Sequence, residues 1–263
     1  MTEHFCTLTW PTAQIAQITL NRPEKLNAIN VEMLQQWRSH IDLLLQKKTK
    51  PRCLILTGTG RAFSSGADIR ATIEVARAHN GDLGSILSAY YNPLITLIRS
   101  LPFPIISVVN GLAVGVGFSF ALHGDVILAA DQAYFWANFS EIGLAPDGAM
   151  SYLLPRTMGY HRAIAHTLLA KKLTAAEAKD LGIVYQTFPQ KDLMHHALAL
   201  AEQICSSSPV ATQETVRLFR EGLERSFHDQ LQAESASQAR AGFSPEAKEA
   251  ITRFLSRRNR PKD

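Results

Sequence analysis

A chain of 263 residues, 46% hydrophobic and 19% charged, is long and apolar enough to bury a sizeable core as one domain or as a domain with an appendage. Its formal net charge of +4 is only mildly basic, and no stripe of basic residues is interleaved with aromatics, which argues against a nucleic-acid surface and leaves small anionic ligands favoured. No apolar run approaches bilayer-spanning length, and Met1-Thr2-Glu3-His4-Phe5-Cys6 has neither a basic start nor an apolar signal core, so no membrane and a cytoplasmic compartment are expected. Cys6, Cys53 and Cys205 are too few and scattered for a disulfide framework or a metal knuckle, the histidines include no His-Glu-x-x-His, and no metal is expected.

In chain order, Cys6, Leu8 and Trp10 alternate with threonines, Pro11 to Gln14 turns the chain, and Ile15 to Leu20 completes a hairpin. Asn21 to Ala28 carries turn formers and charges without a period. Asn30 caps a helix whose apolar positions Met33, Leu34, Trp37, Ile41, Leu44 and Leu45 fall at helical spacing. Cys53 to Thr57 reads as a buried strand, followed by a loop with two glycine groups from Gly58 to Asp68. Ala71 to Arg99 reads as helical, with a weak, mobile middle at His79-Asn80-Gly81-Asp82 and a buried face of Ile86, Leu87, Tyr90, Leu94 and Leu97. Ile105 to Val109, Asp125 to Ala129 and Ala133 to Phe135 are the next strands. Alternation of strands and helices argues for an α/β fold with helices packed outside the strands.

From Ser151 onward strands give out. Tyr160 to Ala170 is helical, Thr174-Ala175-Ala176-Glu177 is a capping box, and Ile183 to Phe188 is a last strand. Helices follow over about 191–205, 210–223, 227–240 and 246–258, two of them opening on Ser208-Pro209 and Ser244-Pro245. The fold divides at this level into a core over 1–200 and a helical C-terminal region over 201–263 that packs on the core or on another subunit.

The stretch Val108 to Phe118 reads as a buried strand running through glycines into a helix start. Gly115 and Gly117 permit close backbone approach, and the first N–H groups of the helix suit an anion or a carbonyl oxygen that becomes one. A plain tight turn has the same sequence. The glycines do not complete a dinucleotide fingerprint, and no phosphate loop ending in Gly-Lys-Ser/Thr occurs.

Five segments in this order resemble the crotonase (enoyl-CoA hydratase/isomerase) superfamily: Leu20 to Ala28, Ala62 to Asp68, Val109 to Gly117, Gly143 to Gly148, and Leu173 to Ala178 with Leu181 to Val184. The resemblance spans nearly the whole chain. It implies an α/β, crotonase-like (ClpP/crotonase) spiral of ββα units, with a helical C-terminal region that forms a homotrimer or a dimer of trimers. It implies an acyl-CoA thioester as substrate, no separate cofactor, and an oxyanion hole formed by the N–H groups of Ala67 and Val116.

The family's hydratases use two glutamates. Carried through without gaps, those positions fall on Ser119 and Phe139, neither of which ionises usefully. Reaching Glu141 instead requires a shift that breaks the register of Ile142-Gly143-Leu144 and Pro146. Asp147, in Pro146-Asp147-Gly148, is by itself a turn residue, but the family's Δ3,Δ2-enoyl-CoA isomerases carry their catalytic acid at this position. The resemblance therefore implies a one-base isomerase of fatty-acid metabolism, with Pro146, Ala149 and Met150 desolvating the carboxylate and raising its pKa. A 2-enoyl-CoA hydratase and a non-catalytic acyl-CoA-binding scaffold are the alternatives. By the same resemblance CoA lies along Arg22, Lys25, Leu26, Ala28, Ala67, Asp68 and Ile69, with Arg22 and Lys25 near phosphates. Phe118, Phe139 and Tyr90 wall the acyl pocket, and Phe243 with Arg257 and Arg258 completes the nucleotide site of a neighbouring subunit.

Overall fold

The computed structural model describes residues 4–258, with side chains through Leu255. Strands β1 (Cys6–Thr12) and β2 (Ile15–Leu20) form the expected antiparallel hairpin. Helix α1 (Val31–Gln46) is capped by Asn30, whose side chain accepts from the Met33 N–H, and its apolar stripe of Met33, Leu34, Trp37, Ile41 and Leu44 is buried.

Three strand pairs then succeed one another. They are β3 (Cys53–Gly58) with β4 (Ala62–Ser64), β5 (Ile105–Val109) with β6 (Leu112–Val114), and β7 (Val126–Ala130) with β8 (Tyr134–Trp136). A short β9 (Leu173–Thr174) and β10 (Gln186–Phe188) come later. The first strand of each pair enters a six-stranded sheet of order β1-β2-β3-β5-β7-β10, and the second enters a four-stranded sheet of order β4-β6-β8-β9. Pairing is parallel throughout except at β1–β2 and β8–β9. Every residue of β3 and β5 is buried, as strands covered on both faces require.

A helical segment follows each pair. After β4 come α2 (Ile69–Arg77), α3 (Leu83–Ile86), a π-helical turn over Leu87–Tyr91 and α4 (Asn92–Arg99). After β6 comes α5 (Val116–Ala121), and after β8 come α6 (Met150–Met158) and α7 (Tyr160–Leu168). This is the spiral of ββα units, and what recurs in it is an order of buried strand, turn and short strand rather than a run of residues. The chain closes with α8 (Ala175–Asp180), α9 (Gln190–Cys205), α10 (Pro209–Gly222), α11 (Phe227–Gly242) and α12 (Pro245–Arg258). Helix α9 runs through position 200 and packs over β3, β5 and β7.

The helical end is tied to the core by one buried side chain. Arg220 on α10 donates to Asp125 at 2.8 and 2.6 Å, to the Leu101 carbonyl at 2.8 Å and to the Arg99 carbonyl at 3.1 Å. A buried guanidinium is tolerated only where its donors are matched in this way.

Three expectations are corrected. The helix read over 71–99 is interrupted, because Asn80 and Gly81 take φ of 53° and 81° and end α2's continuation; Asp68 caps α2 by accepting from the Ala71 N–H. The strand read from Ile183 shrinks to β10, since Ile183 and Val184 both bond the Ala178 carbonyl at the end of α8. Leu173–Thr174 pairs with β8, so the capping threonine of α8 is also a strand residue.

Candidate active site

Strands β4 and β6 run parallel, with Ala62 opposite Leu112 and Ser64 opposite Ala113, so the loops that follow them leave the sheet side by side. Their approach is close enough to demand glycine: Gly66 has φ of 94°, and a Cβ there would lie 2.8 Å from the Val114 carbonyl oxygen. Around these loops the main chain is largely satisfied. The Gly66 N–H donates to Ser64 Oγ, Asp68 N–H to the Ile29 carbonyl, Gly115 N–H to the Trp136 carbonyl and Ser119 N–H to the Gly115 carbonyl. Among the described residues the Ala67 N–H has no partner in the protein, and neither do the N–H groups of the first turn of α5, Val116 among them. Ala67 and Val116 both sit just past the ends of neighbouring strands. Such donors bind an oxygen that gains negative charge without reorganisation.

Asp147 lies in the turn before α6. One carboxylate oxygen, Oδ1, is buried without a hydrogen-bond partner. Burial pushes the pKa up to about 6 against the opposing pull of its own backbone N–H. The turn is held from α5 and the residues after it: the Ser119 hydroxyl donates to the Asp147 carbonyl at 2.9 Å, and His123 Nε2 lies 3.1 Å from the Gly148 carbonyl. Gly148, at φ of 61°, has no room for a side chain, since a Cβ would lie 2.6 Å from Ser119 Cβ and 3.3 Å from Val116 Cγ2.

A cavity of about 440 Å³ opens between the loop after β4, helices α2 and α3, and the Asp147 turn; Val116 is buried and is not among its lining residues. Asp147 and Ala67 lie on its wall, and Ile69, Ile73, Leu83, Ile86, Leu87, Ile142 and Leu144 make it chiefly apolar. Thr72 and Tyr91 add two hydroxyls. Among the described residues no group of three or more His, Cys, Asp or Glu side chains could hold a metal ion.

The cavity walls differ from expectation in three residues. Tyr90 is replaced on the wall by Tyr91, which is buried. The reason is the π-helical turn over Leu87–Tyr91, whose extra residue advances the face by one position relative to the helical period used to assign it. Phe118 is turned into the core, with its ring centroid 5.1 Å from that of Phe135, and Phe139 is likewise buried in the core rather than at the cavity. Their neighbours Ile142 and Leu144, on an exposed stretch with no period, provide the wall instead.

At the loop read as a CoA cradle, Ala67 and Ile69 line the cavity, and Asp68 caps α2. The Arg22 guanidinium is turned inward. It donates to the Ala28 carbonyl at 2.7 Å and to Asp68 at 3.0 Å, and is buried, so its visible work is to hold the loop from Arg22 to Ala28. Arg22 and the Ala71 N–H also hold the Asp68 carboxyl below its ordinary pKa against the pull of burial. Lys25 is exposed at the end of a 3₁₀ turn, and Leu26 follows with φ of 51°. Phe243 is 79% exposed. The side chains of Arg257 and Arg258 lie outside the described residues.

The enoyl-CoA hydratase/isomerase family model matches residues 11–262. A "Probable enoyl-CoA hydratase" of Rhodobacter capsulatus is 35% identical over 93% of this chain and 92% of its own. The 1,2-epoxyphenylacetyl-CoA isomerase of Escherichia coli is 34% identical over 93% of each chain. The crystal structure of an enoyl-CoA hydratase/isomerase from Cupriavidus metallidurans superposes with a TM-score of 0.88 at 26% identity, covering 100% of this chain and 99% of the other. With the ββα spiral and the matched segments already described, these relationships mean that the chain belongs to the enoyl-CoA hydratase/isomerase family of enzymes, within the crotonase superfamily.

Proposed function

We propose that the protein is a Δ3,Δ2-enoyl-CoA isomerase that works with a single base. Asp147 removes a proton from C2 of a 3-enoyl-CoA, the dienolate oxygen accepts from the N–H groups of Ala67 and Val116, and Asp147 returns the proton at C4. The double bond moves and nothing is added, so one carboxyl suffices. The observation that carries this reading is the solitary carboxyl on an apolar wall, with Ser119 and Phe139 where a hydratase would have its acids. A pKa of about 6 leaves Asp147 mostly ionised near neutrality and a better base than an exposed aspartate. The acyl chain lies in the cavity of Ile73, Leu83, Ile86, Leu87 and Tyr91, and CoA runs over Lys25, Leu26, Ala28 and Ile69 with Lys25 near phosphate. No cofactor enters the scheme.

The test offers 3-enoyl-CoA and 2-enoyl-CoA to the purified protein and follows double-bond migration against hydration. Isomerisation lost in Asp147→Ala supports the reading, and full isomerase activity in that variant overturns it. Hydration abolished by Glu141→Gln but not by Asp147→Ala would make the protein a hydratase. Binding of both CoA thioesters with turnover of neither would make it the non-catalytic acyl-CoA-binding scaffold.

A further inference from the structure

We propose that Ser119 and His123 are positioning residues that fix the Asp147–Gly148 turn against the Val116 N–H, so that one rigid stretch of chain sets the place of both the base and the oxyanion donor. The inference rests on Asp147 being the base. Val116 opens α5, Ser119 lies one turn further on, and His123 follows the helix end. Their contacts converge on consecutive carbonyls, Ser119 Oγ on that of Asp147 at 2.9 Å and His123 Nε2 on that of Gly148 at 3.1 Å. Ser119 Oγ also lies 3.4 Å from the Gly115 carbonyl, a longer contact and the ordinary helical back-bond of a serine. Its hydroxyl therefore has a local acceptor to hand but stands nearer the turn.

The chemistry of His123 fits a fixed donor rather than a proton carrier. Burial, with the Arg99 and Arg220 charges adding, pushes its pKa down to about 4, so the ring is neutral at working pH. A carbonyl only accepts, so Nε2 holds the proton, and Nδ1 is buried without a partner. No side chain fits between Gly148 and α5, since a Cβ there would lie 2.6 Å from Ser119 Cβ. The other titratable group facing Asp147 is Tyr91, whose phenol burial and the Asp147 and Asp68 charges keep protonated. Among the described residues no charged group acts on the Asp147 carboxyl, and its position is set through the main chain.

Three variants test this: Ser119→Ala, His123→Phe, which keeps a ring but has no donor, and His123→Gln, whose amide can present an N–H where Nε2 stands. Isomerisation of 3-enoyl-CoA is measured from pH 5 to pH 9, with Asp147→Asn alongside. Ser119→Ala and His123→Phe are expected to lose about 10- to 100-fold in kcat with KM nearly unchanged. In both, the acid limb of kcat/KM moves to lower pH as water reaches the loosened carboxylate. His123→Gln restores most of the rate and the original limb. Thermal destabilisation with kcat and the acid limb unmoved would leave the two residues structural and overturn the inference. An inactive Asp147→Asn beside fully active Ser119→Ala and His123→Phe overturns the inference alone. An active Asp147→Asn overturns the base assignment beneath it.

Discussion

Replacing Asp147 with asparagine should stabilise the protein while abolishing proton transfer, and the size of the gain should depend on pH. Burial raises this carboxyl from 3.8 to about 6. The raised value means that the folded state disfavours the ionised form. The cost is absent at low pH, where both states are protonated, grows as pH rises past the unfolded pKa, and is complete above the folded one. A shift of this size corresponds to about 3 kcal/mol against the folded state at pH 8. About half of that remains at pH 5, where the unfolded carboxyl is ionised and the folded one is mostly not. Asp147→Asn removes the charge and keeps the shape. Urea unfolding at matched protein concentration should therefore show the variant more stable at pH 8 by about 3 kcal/mol, with the gap narrowing by about half at pH 5. The wild-type kcat/KM should fall with an acid limb near pH 6, set by the same group. A variant no more stable than wild type at pH 8, or a gap that widens as pH falls, would refute the desolvation argument.

Val116 is the first residue of α5, a position where proline fits because its missing N–H had no helical partner. Val116→Pro should therefore fold and lose about 10²- to 10³-fold in kcat; an active, folded variant in a steady-state assay would remove this N–H from the mechanism. Arg220→Ala leaves Asp125 and the carbonyls of Arg99 and Leu101 without their donor, which should cost about 3 kcal/mol, read as a Tm lower by roughly 6–12 °C. A Tm within about 2 °C of wild type would mean the helical end is held elsewhere. Glu214 is bonded by Arg240 and Arg217 and held down to about 2, so its stabilisation is present above the ordinary carboxylate range and lost as pH falls through the folded value. Glu214→Gln should lower Tm at pH 7, with the difference from wild type shrinking as pH falls from 4.5 towards 2.

The elements most legible in the sequence were those whose signal is local. Asn30 and Thr174 announce their helices by capping chemistry, and the unbroken apolar runs of Cys53 to Leu56 and Ile105 to Val109 announce strands buried on both faces. The neighbourhood of Ala67 and Val116 was legible through the matched segments, yet their unpartnered N–H groups depend on which carbonyls the flanking residues choose, and that is decided by the β4–β6 register. Phe118 and Phe139 lie in the core and Tyr90 off the cavity wall: an apolar residue next to a site carries the same signal whether it faces ligand or core, and the π-helical turn advances the face at Tyr90 by one position. Ser119 reaches the Asp147 carbonyl, and His123 that of Gly148, across a stretch of chain that no spacing rule connects.

The π-helical turn at Leu87–Tyr91 carries a consequence for how this cavity can diverge. A single residue gained or lost there rotates the wall by about a quarter of a turn while leaving every downstream contact of α4 to be re-docked as a block. Because Tyr90 and Tyr91 are adjacent, either phase turns a phenol towards the cavity. Chemical character at that point of the wall is buffered against a one-residue change in length, and the depth of the cavity is not.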